Sequence, residues 1–93
     1  MKVFNSFEVR FDEEQRPREI FARAHFVQLP LEQDVTLSSC RNLPIQLYSN
    51  GFPKYGCQPP GVGFQDLPLR DGRIVRSVAR EMNFDEDGYF LPQ

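Results

Sequence analysis

Phe7, Val9 and Phe11 alternate with Glu8 and Arg10, the two-residue period of a strand with one face buried and one in water. The connection that follows, Asp12 to Pro17, contains no large apolar residue and ends in proline, so it reads as a solvated turn. Beyond it the same period returns: Ile20, Ala22, Ala24 and Phe26 share a face, while Arg23 and His25 lie on the other. Wound as a helix, the apolar residues from Ile20 to Leu29 spread round the whole circle and leave no stripe. A long hairpin from Val3 to Leu29 is therefore predicted, and the rest of the chain must pack around it.

Val35 and Leu37 fall on one side of a short strand within Leu31 to Cys40. Leu43 to Tyr48 has similar character, with Pro44 demoting it to an edge or limiting where it can pair. Between Leu43 and Leu69, five prolines and four glycines predict mostly loop, with a turn at Asn50-Gly51 and an extended path through Gln58-Pro59-Pro60-Gly61. From Asp71 the period changes. On a helical wheel Ile74, Val75, Val78, Ala79 and Met82 occupy about 140° of arc, and Arg70, Arg73, Arg76 and Arg80 lie opposite. Asp71 is placed to cap that helix, Asp85 to Gly88 to end it, and Tyr89-Phe90-Leu91 to return as a short strand or pack under the sheet.

The expected fold is thus an α+β single domain over residues 1–93: an antiparallel sheet of four to five strands with a C-terminal helix, Arg73 to Phe84, packed across one face. The alternative is a small five-stranded β-barrel with that helix capping one end. A chain of 93 residues buries only about 60 to 65% of its unfolded surface. The core is thin, and the nine phenylalanines are expected to supply most of its bulk.

Thirteen acidic and eleven basic side chains leave a formal charge of −2, which excludes coating of nucleic acid by bulk attraction and leaves local patches open. No apolar run exceeds three residues, so no membrane-spanning helix is predicted. Met1 to Ser6 has no apolar stretch or cleavage site of an export signal, so a cytoplasmic protein is expected, with Cys40 and Cys57 as reduced thiols. A bridge between them in an oxidising compartment would add about 3 kcal/mol.

Chemistry-bearing motifs are sparse. His25 could serve a thiolate at Cys40 or Cys57, but no local pattern joins them, and one His with two scattered Cys does not make a zinc site. Gly61-Val62-Gly63 lacks the third glycine of a dinucleotide fingerprint. Asn83 to Gly88 matches the first half of a calcium loop, yet its twelfth position would fall at residue 94, past Gln93. It reads as an acidic turn. No catalytic residue, metal or cofactor is nominated.

Two features carry recognition. Nine of the eleven basic residues are arginine, and Arg73, Arg76 and Arg80 along one helix edge would present planar forks to carboxylate or phosphate partners. The bland reading, a solvated helix back, weighs more. Phe52, Lys54 and Tyr55 lie on a stiff loop suited either to anchoring a partner or to capping the thin core. These six residues make the leading expectation a non-enzymatic protein-binding module: an adaptor, an inhibitor or a small subunit. The alternative is single-stranded nucleic-acid binding through Arg10, Phe21, Arg23, Phe52, Lys54 and Tyr55.

Overall fold

The computed structural model describes residues 2–26, 34–77 and 81–92, and these form strands and turns with no helix among them. The strands are β1 (Lys2–Phe11), β2 (Pro17–Phe26), β3 (Val35–Ser38), β4 (Ile45–Leu47), β5 (Pro53–Cys57), β6 (Asp66–Pro68), β7 (Ile74–Arg76), β8 (Glu81–Phe84) and β9 (Phe90–Leu91). Seven of them make one antiparallel sheet in the order β1-β2-β3-β5-β8-β9, with β4 joined to both β2 and β5. β6 and β7 form a separate hairpin.

The first hairpin follows from the two-residue period, with Val9 opposite Ile20 and Arg10 opposite Glu19. Along the other side of β2 two strands lie in succession: β3 pairs Phe26 to Arg23, and β4 pairs Ile20 and Glu19. Both then pair β5, so the strand path β2-β3-β5-β4 returns to its start and the sheet coils into a small barrel-like body. Residues 39–44 leave the sheet between β3 and β4 as a short excursion. Its neck is closed by a bridge between Cys40 and Leu43, and a disulfide from Cys40 to Cys57 ties it to β5, with the Cα atoms 5.3 Å apart. The cysteines are thus bonded to each other, contrary to the reduced thiols expected.

Alternate residues of each strand fill the interior. Ile20, Ala22, Ala24 and Phe26 meet Val35, Leu37, Ile45, Leu47, Leu67, Met82 and Phe84 in one cluster. At roughly 1.5 to 3 kcal/mol for each large apolar side chain removed from water, this cluster is the main stabilising element. Its bulk is largely aliphatic. Of the phenylalanines whose side chains are described, Phe26 and Phe84 belong to it and Phe52 and Phe90 pack against it, while Phe11 and Phe64 are exposed by 57% and 69%.

The expected helix from Arg73 to Phe84 is overturned, and with it the α+β fold and the helical cap of the alternative barrel: its span contains β7 and β8, separated by residues 78–80, which lie outside the described part. The reason is turn chemistry. Asp71 is not a helix cap. Its Oδ1 accepts the Arg73 N–H at 3.0 Å within the β6–β7 turn, where Gly72 takes φ 95°. Four described hairpin turns share this geometry, while the β2–β3 connection lies outside the described residues. The first residue's N–H donates to the carbonyl of the fifth, and the fourth residue's N–H donates to the carbonyl of the first, at 12–16, 48–52, 69–73 and 85–89. The fourth position has positive φ in every case: Gln15, Gly51, Gly72 and Gly88. This is the three-residue hairpin loop with a left-handed residue, whose twist suits antiparallel strands. Asp12 and Asp85 also accept backbone N–H groups two and four residues on, at 2.9 to 3.0 Å.

The stretch expected to be mostly loop contains β4, β5 and β6, and β4 is paired on both sides instead of forming an edge. Proline is accommodated at strand ends: Pro53 opens β5, Pro68 closes β6, and Pro44 precedes β4.

The β6–β7 hairpin is attached through side chains. Gln65 Oε1 accepts the Thr36 N–H at 2.6 Å while its Nε2 donates to the Thr36 carbonyl at 2.9 Å. The amide thereby substitutes for a neighbouring strand beside β3. Gln65 Nε2 and the buried Ser77 hydroxyl both donate to Gln58 Oε1, each at 3.0 Å. Ser77 N–H donates to the Gln65 carbonyl at 2.8 Å. Among the described residues no buried side-chain nitrogen or oxygen lacks a partner.

Candidate functional site

Strand register spreads the sequence-predicted residues over two regions. On the outer face of the sheet, one continuous rung runs Arg10, Glu19, Gln46, Tyr55, Asn83, Leu91 across six strands. Phe21 and Arg23 project from β2 on the same side, because Ile20, Ala22 and Ala24 point inward. Arg10 stacks 5.3 Å above the Phe21 ring and also reaches Glu8 at 3.3 Å and Glu19 at 3.6 Å. The Arg23 guanidinium donates to the Pro60 carbonyl at 2.7 Å. Its direction is thus fixed within the monomer.

Phe52 packs against the core beside the β4–β5 turn and is half-buried, as is Tyr55. Partial burial, with the Glu81 carboxylate beside it and hydrogen-bonded, raises the Tyr55 phenol above its ordinary pKa. Lys54 is exposed, with Nζ 5.9 Å from the Tyr48 ring centre. It borders a depression of about 160 Å³ with Arg18, Glu19, Gln46 and Leu47.

The arginines expected on one helix face occupy a turn and a strand end. Arg70 donates to Asp85 at 2.9 Å and Asp87 at 2.6 Å and lies 4.8 Å above the Tyr89 ring. It thereby ties the β6–β7 turn to the β8–β9 turn. Partial burial works to raise the Asp85 pKa, but the Tyr89 amide, Arg70 and the Asp87 amide outweigh it and hold the carboxyl below its ordinary value. Arg73 pairs with Asp71 at 2.8 Å and is 72% exposed. Arg76 faces Asp66 at 3.9 Å. Arg80 lies outside the described residues.

Where the two turns meet, an open groove of about 260 Å³ is lined by Leu69, Phe90, Leu91 and Pro92, with Arg70, Asp71 and Arg73 at its rim. Ile74, 51% exposed, stands next to Arg73. Sequence reasoning named Arg73 but missed the apolar floor. Asp71-Gly72, an Asp-Gly pair of the kind that marks tight hairpins, would have put Leu69 at a turn facing the chain's last strand.

His25 stands directly opposite Thr36, with Nδ1 2.9 Å from Thr36 Oγ1 and Nε2 3.5 Å from Asp34 Oδ2. The Thr36 amide and carbonyl are both taken by Gln65, and the trio braces β2 against β3. Among the described residues no group of three or more His, Cys, Asp or Glu is placed to hold a metal ion. No helix among them is long and apolar enough to cross a membrane.

No protein-family model, no curated protein and no solved structure matches this chain.

Proposed function

We propose that this chain is a non-enzymatic protein-binding module, an adaptor, inhibitor or small subunit, that docks a partner segment in the groove between the β6–β7 turn and β9. The observation that carries the reading is the combination of an apolar floor, Leu69, Phe90 and Leu91, with an arginine rim, Arg70 and Arg73. An apolar centre inside a directional polar rim is the usual anatomy of a recognition surface. Arg70 is committed to Asp85 and Asp87 and shapes the groove. Among the described residues Arg73 pairs only with the exposed Asp71, a contact worth little, so its fork is available to a partner carboxylate. The preferred segment carries an apolar side chain next to an acidic residue. Phe52 and Tyr55 then belong to the frame, and Lys54 and Arg76 to the surrounding surface.

A screen of displayed random peptides against the folded, immobilised protein, followed by fluorescence polarisation, tests this. The expected result is an apolar–acidic consensus whose binding falls at least about tenfold, about 1.4 kcal/mol, in Leu91→Lys and in Arg73→Glu and is unchanged in Lys54→Glu. An empty screen, or binding indifferent to Leu91 and Arg73, overturns the proposal.

The second reading, single-stranded nucleic acid on the outer face, is favoured by Arg10 of β1 and Phe21 and Arg23 of β2 sharing one face of the first hairpin, with a cation over the ring. Weighing against it, Glu8 and Glu19 neutralise Arg10 on that face. Anisotropy of a labelled oligonucleotide that weakens steeply with salt would support it, and no binding at low salt removes it. For localisation, the Cys40–Cys57 bridge favours an oxidising compartment over the cytoplasm.

A further inference from the structure

We propose that two copies of this chain associate by antiparallel pairing of their β1 strands, in a register centred on Val9. Among the described residues β1 pairs only with β2. Its other edge is therefore a run of backbone donors and acceptors on a ten-residue strand without proline, the kind of edge that templates another strand. The opposite margin of the sheet is different: β9 has two residues and is followed by Pro92, which has no N–H to donate.

The occupant follows from the sequence of that edge. Phe7-Glu8-Val9-Arg10-Phe11 reads alike in both directions with its charges inverted about the centre. A two-fold axis at Val9 sets Glu8 opposite Arg10 of the second copy, Val9 opposite Val9, and Phe11 opposite the Phe7 position. Directly opposed residues on antiparallel strands lie on one face with Cβ atoms about 4.5 to 5.5 Å apart, within reach of an ion pair. Glu8 and Arg10 are half exposed, at 52% and 56%, and Phe11 is exposed by 57%, so each is accessible to a second copy. Registers shifted by two residues, which preserve the inward and outward faces, set Glu8 opposite Glu8 or Arg10 opposite Arg10. Like charges thus oppose the neighbouring alignments, and the pattern specifies one. An unrelated strand has no reason to carry the inverted charge order, whereas this chain carries it by construction.

Sedimentation velocity of the full chain across a concentration series tests the pairing. The unmodified protein is expected to show a reversible monomer–dimer equilibrium. Arg10→Glu and Glu8→Arg each weaken it by about tenfold or more, since symmetry converts each single change into like-charge contacts at both ends of the paired segment. The double variant E8R/R10E restores the dimer, and an equal mixture of the two single variants forms mixed dimers more tightly than either variant pairs with itself. Circular dichroism and thermal melting establish that each protein is folded. If Arg10→Glu, which sets a glutamate beside Glu19, fails to fold, Glu8→Arg, which leaves the Arg10–Glu19 pair in place, carries the test. A monomer at every concentration, or one dimerisation constant common to all folded variants, overturns the proposal.

Discussion

A Cβ built on Gly56 would lie 3.1 Å from both Cβ and Cδ1 of Leu37, so β5 passes β3 closely enough that a larger residue must push its neighbour by a few tenths of an ångström. Leu37 is fully buried and its Cβ is carried by the strand, which makes that shift costly. Gly56→Ala is expected to destabilise the fold by about 1 to 3 kcal/mol through overpacking, read as a lower urea midpoint with an unchanged m-value. Unaltered stability would mean that β5 can move away from β3.

Gln15 is the one described residue other than glycine with positive φ, at 65°, and it sits where the other three hairpin turns place Gly51, Gly72 and Gly88. Gln15→Gly relieves a left-handed side-chain conformation and is expected to stabilise by about 0.5 to 1 kcal/mol, after the greater freedom of glycine in the unfolded chain is subtracted. Gly88→Ala should shift thermal unfolding in the opposite direction. If both changes leave it unmoved, the shared turn geometry has no energetic weight.

The Cys40–Cys57 bridge closes a separation of 17 residues, for which chain entropy predicts about 3 kcal/mol. Cys57→Ser, or addition of a reductant, should lower stability by about that amount. Because the bridge anchors the excursion at 39–44, limited proteolysis of the reduced protein should cut there first. Equal stability with and without reductant contradicts the expectation.

Asp12, Asp71 and Asp85 are all held below the ordinary carboxyl value of 3.8. The dominant lowering influence on Asp12 is the Arg16 amide, and on Asp71 the Arg73 amide. A carboxyl with a depressed folded pKa contributes stability that is complete above its unfolded pKa and is lost as pH falls through the folded value. Stability should therefore hold above about pH 5 and decline below about pH 4. Asp85→Asn should be less stable than the parent at neutral pH, with the gap closing in acid. A gap independent of pH would show that the Asp85 charge plays no part.

What could be read from the sequence was what short-range period determines. Ile20, Ala22, Ala24 and Phe26 are spaced for one face of a strand and occupy one, and Asn50-Gly51 marked a turn that is present. The C-terminal third misled because Ile74, Val75 and Met82 fit a helical stripe as well as short strands. Deciding between them needed the turn chemistry of Asp71-Gly72 and Gly88. At the groove Arg73 was visible as a cation, but its companions Leu69 and Leu91 are far apart in sequence and meet only because Arg70 joins two turns. The central position of β5, in a stretch rich in proline and glycine, was hidden for a related reason: Gly56 is there to fit against Leu37, a contact with no local signature.

The β6–β7 hairpin meets the rest of the molecule through side chains, those of Gln65, Leu67, Arg70, Val75 and Ser77, rather than through a ladder of peptide bonds. Gln65→Leu would strand the Thr36 donor and acceptor and is expected to cost about 2 to 4 kcal/mol. In the unmodified protein, the amides of β6 and β7 should exchange with deuterium well before those of β2 and β5. The hairpin would then behave as a hinged flap, able to detach and reseat while the barrel stays intact.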